Sequence, residues 1–303
     1  MSEAARSLIL NADDFGYSPE VNAAVLKAHQ EGPLTSASLM VAEKGFEEAV
    51  EMARRNPTLG VGLHVAVTYD LALLPASAIP HLVKSEGRFP TDPLRAGLRY
   101  AFSPQAKREL RQEMEAQFAR FAATGLPWSH ADGHQHFHLH PAVWDIFLSL
   151  CVQYGVHRIR LPYEELGAHL RDGGDRNPLN LFAALVFRVL RRRALRSLRR
   201  HEQAGGKPFF FCDRVYGLLQ TGQMDRNYTL RLLERLTGRT NEIYFHPGAP
   251  HAHLLPEAQR AGGVNDVELA ALLDPNFRAH IEEGTLCLQT YAQAEAWQGT
   301  STV

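Results

Sequence analysis

Two hydrophobic periods alternate along the chain. A short strand precedes Asp132, and continuous apolar runs typical of buried strands cover residues 7–12, 36–41, 59–67, 156–161, 242–246 and 285–289. Between these runs, apolar residues recur at the spacing of amphipathic helices over residues 19–31, 46–53, 104–121, 141–154, 226–236 and 267–273. Regular alternation of strand and helix predicts an α/β protein with a mainly parallel sheet.

The number of strand–helix units favours a TIM-like (β/α) barrel, and an open doubly wound sheet is the alternative. No break in the pattern marks a boundary, so we predict a single domain over residues 1–303. Residues 71–103 contain many prolines and show no clear period, which predicts a long excursion. Loops of this length in a compact domain are usually functional or locally disordered.

Charge and cysteine content narrow the function classes. Lysine plus arginine number 32 against 33 acidic residues, so the chain as a whole has no electrostatic bias toward nucleic acid. Cys151, Cys212 and Cys287 lie far apart with no CxxC pair, which argues against a disulfide framework and against a thiolate zinc site. The N-terminus lacks a signal-peptide pattern, and no uncharged apolar run reaches bilayer length. We therefore expect a cytoplasmic protein.

Polar residues with catalytic chemistry stand where the predicted strands end. Asp13 and Asp14 follow the first strand, His64 lies late in the third, residues 132–138 (Asp-Gly-His-Gln-His-Phe-His) follow a short strand, and His246 ends another. Because the carboxyl ends of parallel strands share one edge of the sheet, these four sets can converge on one face.

Each set also has a simpler interpretation. Adjacent aspartates before a helix often serve as turn and helix-start charges, and a single histidine in an apolar strand is more often a core residue. Histidines at alternate positions over residues 134–140 are a stronger signal, since imidazole is the commonest metal ligand. Alternating residues of an extended segment point to opposite sides, so at most two of these four histidines should bind one ion.

Together the four sets supply the parts of a metal-dependent hydrolase. One carboxylate and two neutral imidazoles make a three-ligand site with open positions for water and substrate. An ion in such a site polarises a scissile carbonyl and lowers the pKa of a water. A second carboxylate can accept the proton of that water, and a histidine across the site can protonate a leaving amine.

Four motifs resemble those of the YdjC-like (ChbG-type) carbohydrate deacetylases: residues 11–16 (Asn-Ala-Asp-Asp-Phe-Gly), 62–64 (Gly-Leu-His), 132–138 and 245–248 (Phe-His-Pro-Gly). Their order and spacing match from about residue 7 to about 290, and the first and third motifs are specific. The resemblance implies removal of acetyl groups from N-acetylated amino sugars on a distorted (β/α) barrel with one divalent metal ion, zinc or magnesium.

Residue by residue, the resemblance implies that the metal ligands are Asp14, His64 and His134. It further implies that Asp13 is the general base and His246 the general acid. Arg160 resembles a family arginine that orients the base or holds substrate. For His136, His138 and Asp132 we expect a role in binding substrate or orienting the site.

A narrower resemblance concerns the substrate. Residues 211–217 (Phe-Cys-Asp-Arg-Val-Tyr-Gly) and 242–247 (Glu-Ile-Tyr-Phe-His-Pro) look like the hopanoid-biosynthesis-associated branch of that family, HpnK. This branch implies an N-acetylglucosamine-type head group carried on a hopanoid lipid. These segments are less diagnostic than the metal motifs.

Residues 179–200 form a basic amphipathic segment. Their first half is apolar and their second half is rich in arginine. Such a segment suits peripheral contact with the inner face of a membrane. A surface helix with one face in the core and a homodimer interface are the other two interpretations.

Two other function classes stay open beside the amino-sugar deacetylase. One is a different metallohydrolase on the same barrel, cutting an ester or a phosphoester. The other, more distant, is a non-enzymatic carbohydrate- or lipid-binding protein. Release of acetate from an N-acetylated sugar separates the deacetylase from both. For the metal, a site with two histidines and one aspartate suits zinc, and completion by water oxygens admits magnesium or manganese.

Overall fold

The computed structural model describes residues 5–84, 86–171, 178–248 and 266–300. Its strands are β1 (Arg6–Phe15), β2 (Ser36–Leu39), β3 (Gly60–Val65), β4 (Ala131–Gly133), β5 (Arg214–Tyr216), β6 (Thr240–Phe245) and β7 (Leu286–Leu288). Its helices are α1 (Pro19–Gln30), α2 (Phe46–Arg55), α3 (Pro93–Phe102), α4 (Pro104–Ala123), α5 (Pro141–Gln153), α6 (Leu166–Arg171), α7 (Pro178–Gln203), α8 (Arg226–Leu233), α9 (Asp266–Leu272), α10 (Pro275–Glu283) and α11 (Tyr291–Thr300). A 3-10 segment, His134–Leu139, joins β4 to α5.

The strands form one parallel sheet in the order β4-β3-β2-β1-β6-β5, and β7 pairs with the start of β1. The sheet curls into a half-barrel. Isolated bridges extend it beyond β4, where Ala131 pairs with Ile159 and Arg158 pairs with Phe210. The predicted α/β class and parallel sheet are therefore confirmed. The predicted strand at 156–161 is present only as these bridges among the described residues.

β1 lies in the middle of the sheet and is buried along almost its whole length. Buried strands of a parallel sheet are covered on both faces, which explains why residues 7–12 are almost continuously apolar. Side chains such as Leu8, Leu10 and Phe15 enter the main core, which the helices close from outside. The centre of the sheet is thus closely packed on both faces, and this packing holds the residues at its carboxyl edge in position.

The excursion predicted at 71–103 contains a helix. Asp92 caps α3 by accepting hydrogen bonds from the backbone N–H groups of Leu94 and Arg95, and Pro93 occupies the first turn. The prediction of an irregular segment is wrong over these ten residues, because the abundance of proline hid a capped helix start. The sequence pattern also missed β5, α10 and α11, which are short or weakly periodic.

The described part of the chain has no helix both long and apolar enough to cross a membrane. Residues 179–200 lie in α7, as their pattern predicted, and Ala194 and Leu198 anchor this helix in the core.

Candidate active site

Adjacent aspartates occupy the carboxyl end of β1. The pairing of β1 with β2 shifts register between Ala12 and Phe15, and Asp14 has a left-handed backbone with φ of 63°. This bulge lets both carboxylates be buried in the site although neighbours on a regular strand point to opposite faces. A left-handed non-glycine residue costs on the order of 1 kcal/mol or more, and such strain is common at functional sites.

Asp14, His64 and His134 meet at this point. One ligand-type atom from each lies within 4.8 Å of the other two. His64 Nε2 is 3.4 Å from Asp14 Oδ1, and His134 Nδ1 is 3.0 Å from the same oxygen. All three residues are buried. The structure thus brings together the three residues predicted as metal ligands.

A second carboxylate stands behind each histidine. His64 Nδ1 is 2.8 Å from Asp132 Oδ1, because the two residues are register partners on β3 and β4. His134 Nε2 is 3.4 Å from Asp70 Oδ2. If each of these nitrogens carries the proton toward its outer carboxylate, the other nitrogen of each ring presents a lone pair toward Asp14. Carboxylates in this outer position commonly fix the tautomer of metal-binding histidines.

These donors fit a divalent cation. Two imidazole lone pairs aimed at one carboxylate oxygen repel it, unless a positive charge lies between them. The surrounding carboxylates also demand positive charge. Burial by itself would lower the pKa of His64 and His134, but the carboxylates prevail: Asp132 and Asp13 raise the pKa of His64, and Asp70 and Asp14 that of His134. Oxygen plus two imidazoles is a common zinc donor set, and magnesium favours oxygen.

Asp13 belongs to a different network, centred on Arg160. The Arg160 guanidinium donates to both carboxylate oxygens of Asp13, at 2.8 and 2.7 Å. It also contacts Asp132 at 2.7 Å and Glu242 at 2.7 Å, and all four side chains are buried. Burial by itself would raise the pKa of Asp132, but Arg160 and His64 hold it well below its usual value. A second grouping of Asp13, His64 and Asp132 also has metal-like spacing, but its two carboxylates already pair with Arg160.

His246 lies on the other side of Asp14. Its Nε2 is 3.9 Å from Asp14 Oδ2, and its Nδ1 is 3.7 Å from Glu268 Oε2. Glu268, on α9, also accepts a hydrogen bond from the backbone N–H of His246. Burial would lower the pKa of His246, but Glu268 and Asp14 together raise it. The ring is therefore arranged to hold a proton.

A cavity of about 230 Å³ opens onto these groups. Asp13, His134 and His246 form its polar part, and Phe187 of α7 and Leu218 form its apolar part. His136 and Tyr244 also line it, with His136 Nε2 3.0 Å from the Tyr244 hydroxyl. Burial, reinforced by Arg160, keeps the pKa of His136 well below its usual value, so its ring is neutral. The cavity thus borders the metal-type cluster through His134, and a carboxylate and a protonatable histidine, Asp13 and His246, also line it.

Two of the predicted orienting residues do not reach this cavity. His138 is buried, its Nε2 lies 3.0 Å from the backbone carbonyl of Arg160, and burial lowers its pKa to about 4. It lies beside the Arg160 backbone and outside the cavity lining, and the role expected of it stays a prediction. Asp132 lies behind His64, where it bonds His64, Ser38 and Arg160. If Asp132 has the orienting role expected of it, the group that it orients is the His64 ring.

The histidine-rich segment is not extended. Gln135 and His136 have φ of 52° and 54°, so residues 134–139 form a 3-10 turn with left-handed residues inside. The expectation of alternating sides is therefore wrong for these residues, although one histidine of the set, His134, enters the cluster. Of the described residues, the non-glycine residues with positive φ are Asp14, Tyr69, Gln135 and His136, all at the site or next to Asp70.

Sequence reasoning missed three acidic residues of the site. Asp70 lies in the irregular chain between β3 and the excursion, Glu242 in a buried strand and Glu268 in a short helix. The position of Glu242 does carry a sequence signal, because a carboxylate inside a buried strand requires a buried partner. The other two lie in segments whose pattern predicts no particular position.

The fold and this cluster define a class: an α/β protein with a buried carboxylate–histidine site of metal-binding type at the carboxyl edge of a parallel sheet. The family model described as "YdjC-like protein" matches residues 7–283, and the chain belongs to that family.

The relatives of this chain have related names. A carbohydrate deacetylase of Geobacillus stearothermophilus is 30% identical over 289 residues, 95% of this chain and 98% of that protein. A human carbohydrate deacetylase is 36% identical, and the match covers 93% of this chain and 89% of the human protein. A Brevibacillus brevis carbohydrate deacetylase is 44% identical over 156 residues, and that match spans 52% of this chain and 59% of the relative.

A solved structure has the same fold. It is a protein of Enterococcus faecalis V583, provisionally named as a cellobiose-phosphate cleavage protein. The two chains superpose with a TM-score of 0.69 and share 22% sequence identity. The match covers 96% of this chain and 99% of the Enterococcus faecalis chain. At this identity the likeness establishes the fold alone.

Proposed function

We propose that this protein is a metal-dependent hydrolase that removes the acetyl group from an N-acetylated amino sugar. The observation that carries the proposal is the convergence of Asp14, His64 and His134 beside a cavity that His134, Asp13 and His246 line. The names of full-length relatives, carbohydrate deacetylases, supply the reaction class. In this proposal, residues 1–303 form a single domain with a distorted (β/α) barrel fold, and the protein acts in the cytoplasm.

Asp14, His64 and His134 would hold one divalent ion, zinc or magnesium. Asp132 and Asp70 would each hold one imidazole in the tautomer that presents a lone pair to it. The bound ion polarises the acetyl carbonyl and lowers the pKa of a water.

The chain's own residues then carry the protons. Asp13, which lines the cavity, accepts a proton from the attacking water as its oxygen bonds to the acetyl carbon. Arg160 keeps the Asp13 carboxylate in a fixed orientation throughout. His246, protonated and held by Glu268, gives its proton to the amide nitrogen as the carbon–nitrogen bond breaks. Acetic acid and the free amine leave, and the proton of the acid passes to the amine in solution to give acetate and an ammonium group. The proton on Asp13 returns to His246 through solvent.

We extend the proposal to a lipid-linked substrate, the N-acetylglucosamine-type head group of a hopanoid. Its basis is the resemblance of residues 211–217 and 242–247 to the HpnK branch. The apolar cavity wall at Phe187 and Leu218 supports an amphiphilic substrate better than a fully hydroxylated oligosaccharide.

The test is acetate release from N-acetylglucosamine, a chitooligosaccharide and a glycolipid bearing N-acetylglucosamine. The assay uses the protein before and after chelation, followed by readdition of zinc or magnesium. We expect release that chelation abolishes and one metal restores. Hydrolysis of an aryl ester or a phosphoester without acetate release from any N-acetyl sugar would instead establish the alternative metallohydrolase. Faster turnover of the free sugars than of the glycolipid would remove the lipid-linked extension.

A further inference from the structure

Helix α7 exposes apolar side chains to solvent. Phe182 is 66% exposed, Leu185 58%, Val186 38% and Val189 58%. Phe182 is three and four residues before Leu185 and Val186, and Val189 is four and three residues after them, so the four side chains share one face of the helix. The opposite side of α7 is anchored in the core through Ala194 and Leu198. The exposed face is therefore a genuine outer surface of a packed helix and not one end of a detached segment.

The same face becomes basic in the second half of the helix. The sequence of positions that runs through Phe182, Val186 and Val189 continues at the same spacing to Arg193, Arg196 and Arg200, which are exposed. Arg192 and Arg199 flank it, seven and fourteen residues beyond Leu185. One outward-facing stripe thus begins with apolar side chains and ends with several exposed arginines.

Helix α7 also borders the cavity, on the side away from this stripe. Phe187 lines the cavity, and its ring centroid is 5.6 Å from that of His136. Phe187 lies roughly 140° around the helix from Phe182, so the two side chains leave α7 on opposite sides. A surface that receives the stripe therefore lies one helix diameter, about 10 Å, from the cavity wall.

Helix α3 adds a second apolar stripe beside the same histidine-rich segment. Leu94 is 73% exposed, Leu98 51% and Phe102 80%, at intervals of four residues. Gly97 of α3 faces the His140 ring so closely that a Cβ would lie 2.7 Å from its Nε2. Arg193 of α7 is near enough to the same ring to lower its pKa, after the larger effect of burial. Both helices thus flank residues 134–140.

We propose that the outward faces of α3 and α7, called here the docking face, bind the surface of an anionic lipid bilayer. Exposed aliphatic and phenylalanine side chains bordered by arginines suit the boundary between acyl chains and acidic head groups. Contact between two copies along the whole stripe would bury the arginines of each copy against the apolar or the basic half of the other, so desolvation and repulsion disfavour a homodimer here. The inference rests on the proposed function in one respect: docking would deliver a lipid-linked sugar to the site. The docking face itself depends only on the exposure and charge of α3 and α7.

The experiment is sedimentation with vesicles of phosphatidylcholine alone or mixed with phosphatidylglycerol, at low and high salt. We expect binding to the mixed vesicles that high salt weakens, because the arginines are screened. Substituting Arg196→Glu with Arg200→Glu should weaken that binding by roughly tenfold or more, since two attractive charges become repulsive. Leu185→Asn with Val189→Asn should weaken it at either salt concentration, and Leu98→Asn with Phe102→Asn should do so if α3 belongs to the docking face.

A matched control reverses two exposed arginines elsewhere, Arg55→Glu with Arg278→Glu, and should leave vesicle binding unchanged. Every variant should release acetate from a soluble N-acetyl sugar at the wild-type rate, which separates a failure of docking from a failure of the proposed reaction. Equal sedimentation of wild type and the α7 variants, or sedimentation that the control abolishes equally, would overturn the proposal. Loss of a dimer in the α7 variants without vesicle binding by wild type would reassign the face to a second copy.

Discussion

Arg160 holds Asp13 by both carboxylate oxygens, through two parallel hydrogen bonds of 2.8 and 2.7 Å from its terminal nitrogens. This geometry fixes the plane of the carboxylate as well as its position, which a lysine ammonium cannot do. The same guanidinium bonds Glu242 and Asp132. Arg160 therefore connects the carboxylate proposed as base to the carboxylate that orients His64.

We expect Arg160→Lys to lower kcat for acetate release by about tenfold or more while the metal content stays unchanged, because the charge remains but the fork is lost. Arg158→Lys is the matched control. Arg158 lies two residues away, pairs with Glu295 and donates to backbone carbonyls outside the cavity. Its replacement should leave kcat near the wild-type value, and an equal loss in both variants would make the Arg160 effect one of folding.

Asp13→Asn tests the base. Asn keeps the size of the side chain and can still accept from Arg160, but it cannot take a proton from water. We expect turnover to fall by about 10²-fold or more, the usual scale for general-base catalysis, with metal retained. Steady-state acetate release and elemental analysis of the same preparation provide the two readouts. Loss of the metal along with activity would make Asp13 a ligand, as the alternative grouping with His64 and Asp132 allows.

His64→Ala tests the metal site itself. Removing this ring takes away one of the three converging donors, so the purified variant should hold little metal. His136→Ala is the matched control, because His136 is also buried and lines the cavity but lies outside that cluster. It should keep its metal. Full metal occupancy in the His64 variant, measured by elemental analysis, would contradict the assignment.

The sequence predicted the site better than it predicted the details of its geometry. Asp14, His64 and His134 each lie in the last residues of a strand or directly after one, and a parallel sheet brings such strand ends together. Their choice as metal ligands came from the resemblance to the YdjC-like motifs. The left-handed backbone at Asp14 and at His136 could not be foreseen, since it depends on packing around the site and not on local pattern. The extended reading of residues 134–139 failed for that reason.

The outer carboxylates escaped prediction for a related reason. Asp70 follows a strand end by five residues of irregular chain, and no periodicity fixes where such a chain runs. Glu268 belongs to a seven-residue helix whose docking against His246 is a tertiary event. The strand order, with β6 beside β1, is what brings His246 to Asp14, and alternation of strand and helix does not by itself specify that order.

A pH effect on stability is expected from Glu164, a buried carboxylate outside the proposed chemistry. Its Oε2 accepts a hydrogen bond from the backbone N–H of Leu219 at 3.0 Å, and its Oε1 accepts one from the Tyr228 hydroxyl at 3.3 Å. Burial nevertheless raises the pKa of Glu164 from 4.5 to about 7, against the opposing effect of these hydrogen bonds.

The folded protein therefore holds this proton more tightly than the unfolded chain. The stabilisation is complete below the unfolded pKa of 4.5 and is lost as pH rises through about 7. The loss is at most roughly 3 kcal/mol of unfolding free energy. Glu164→Gln removes the ionisable group, so the variant should lose less stability than wild type between pH 5 and pH 8 in urea unfolding. The exposed Glu234→Gln is the control and should follow wild type; parallel curves for all three proteins would show that Glu164 does not titrate in this range.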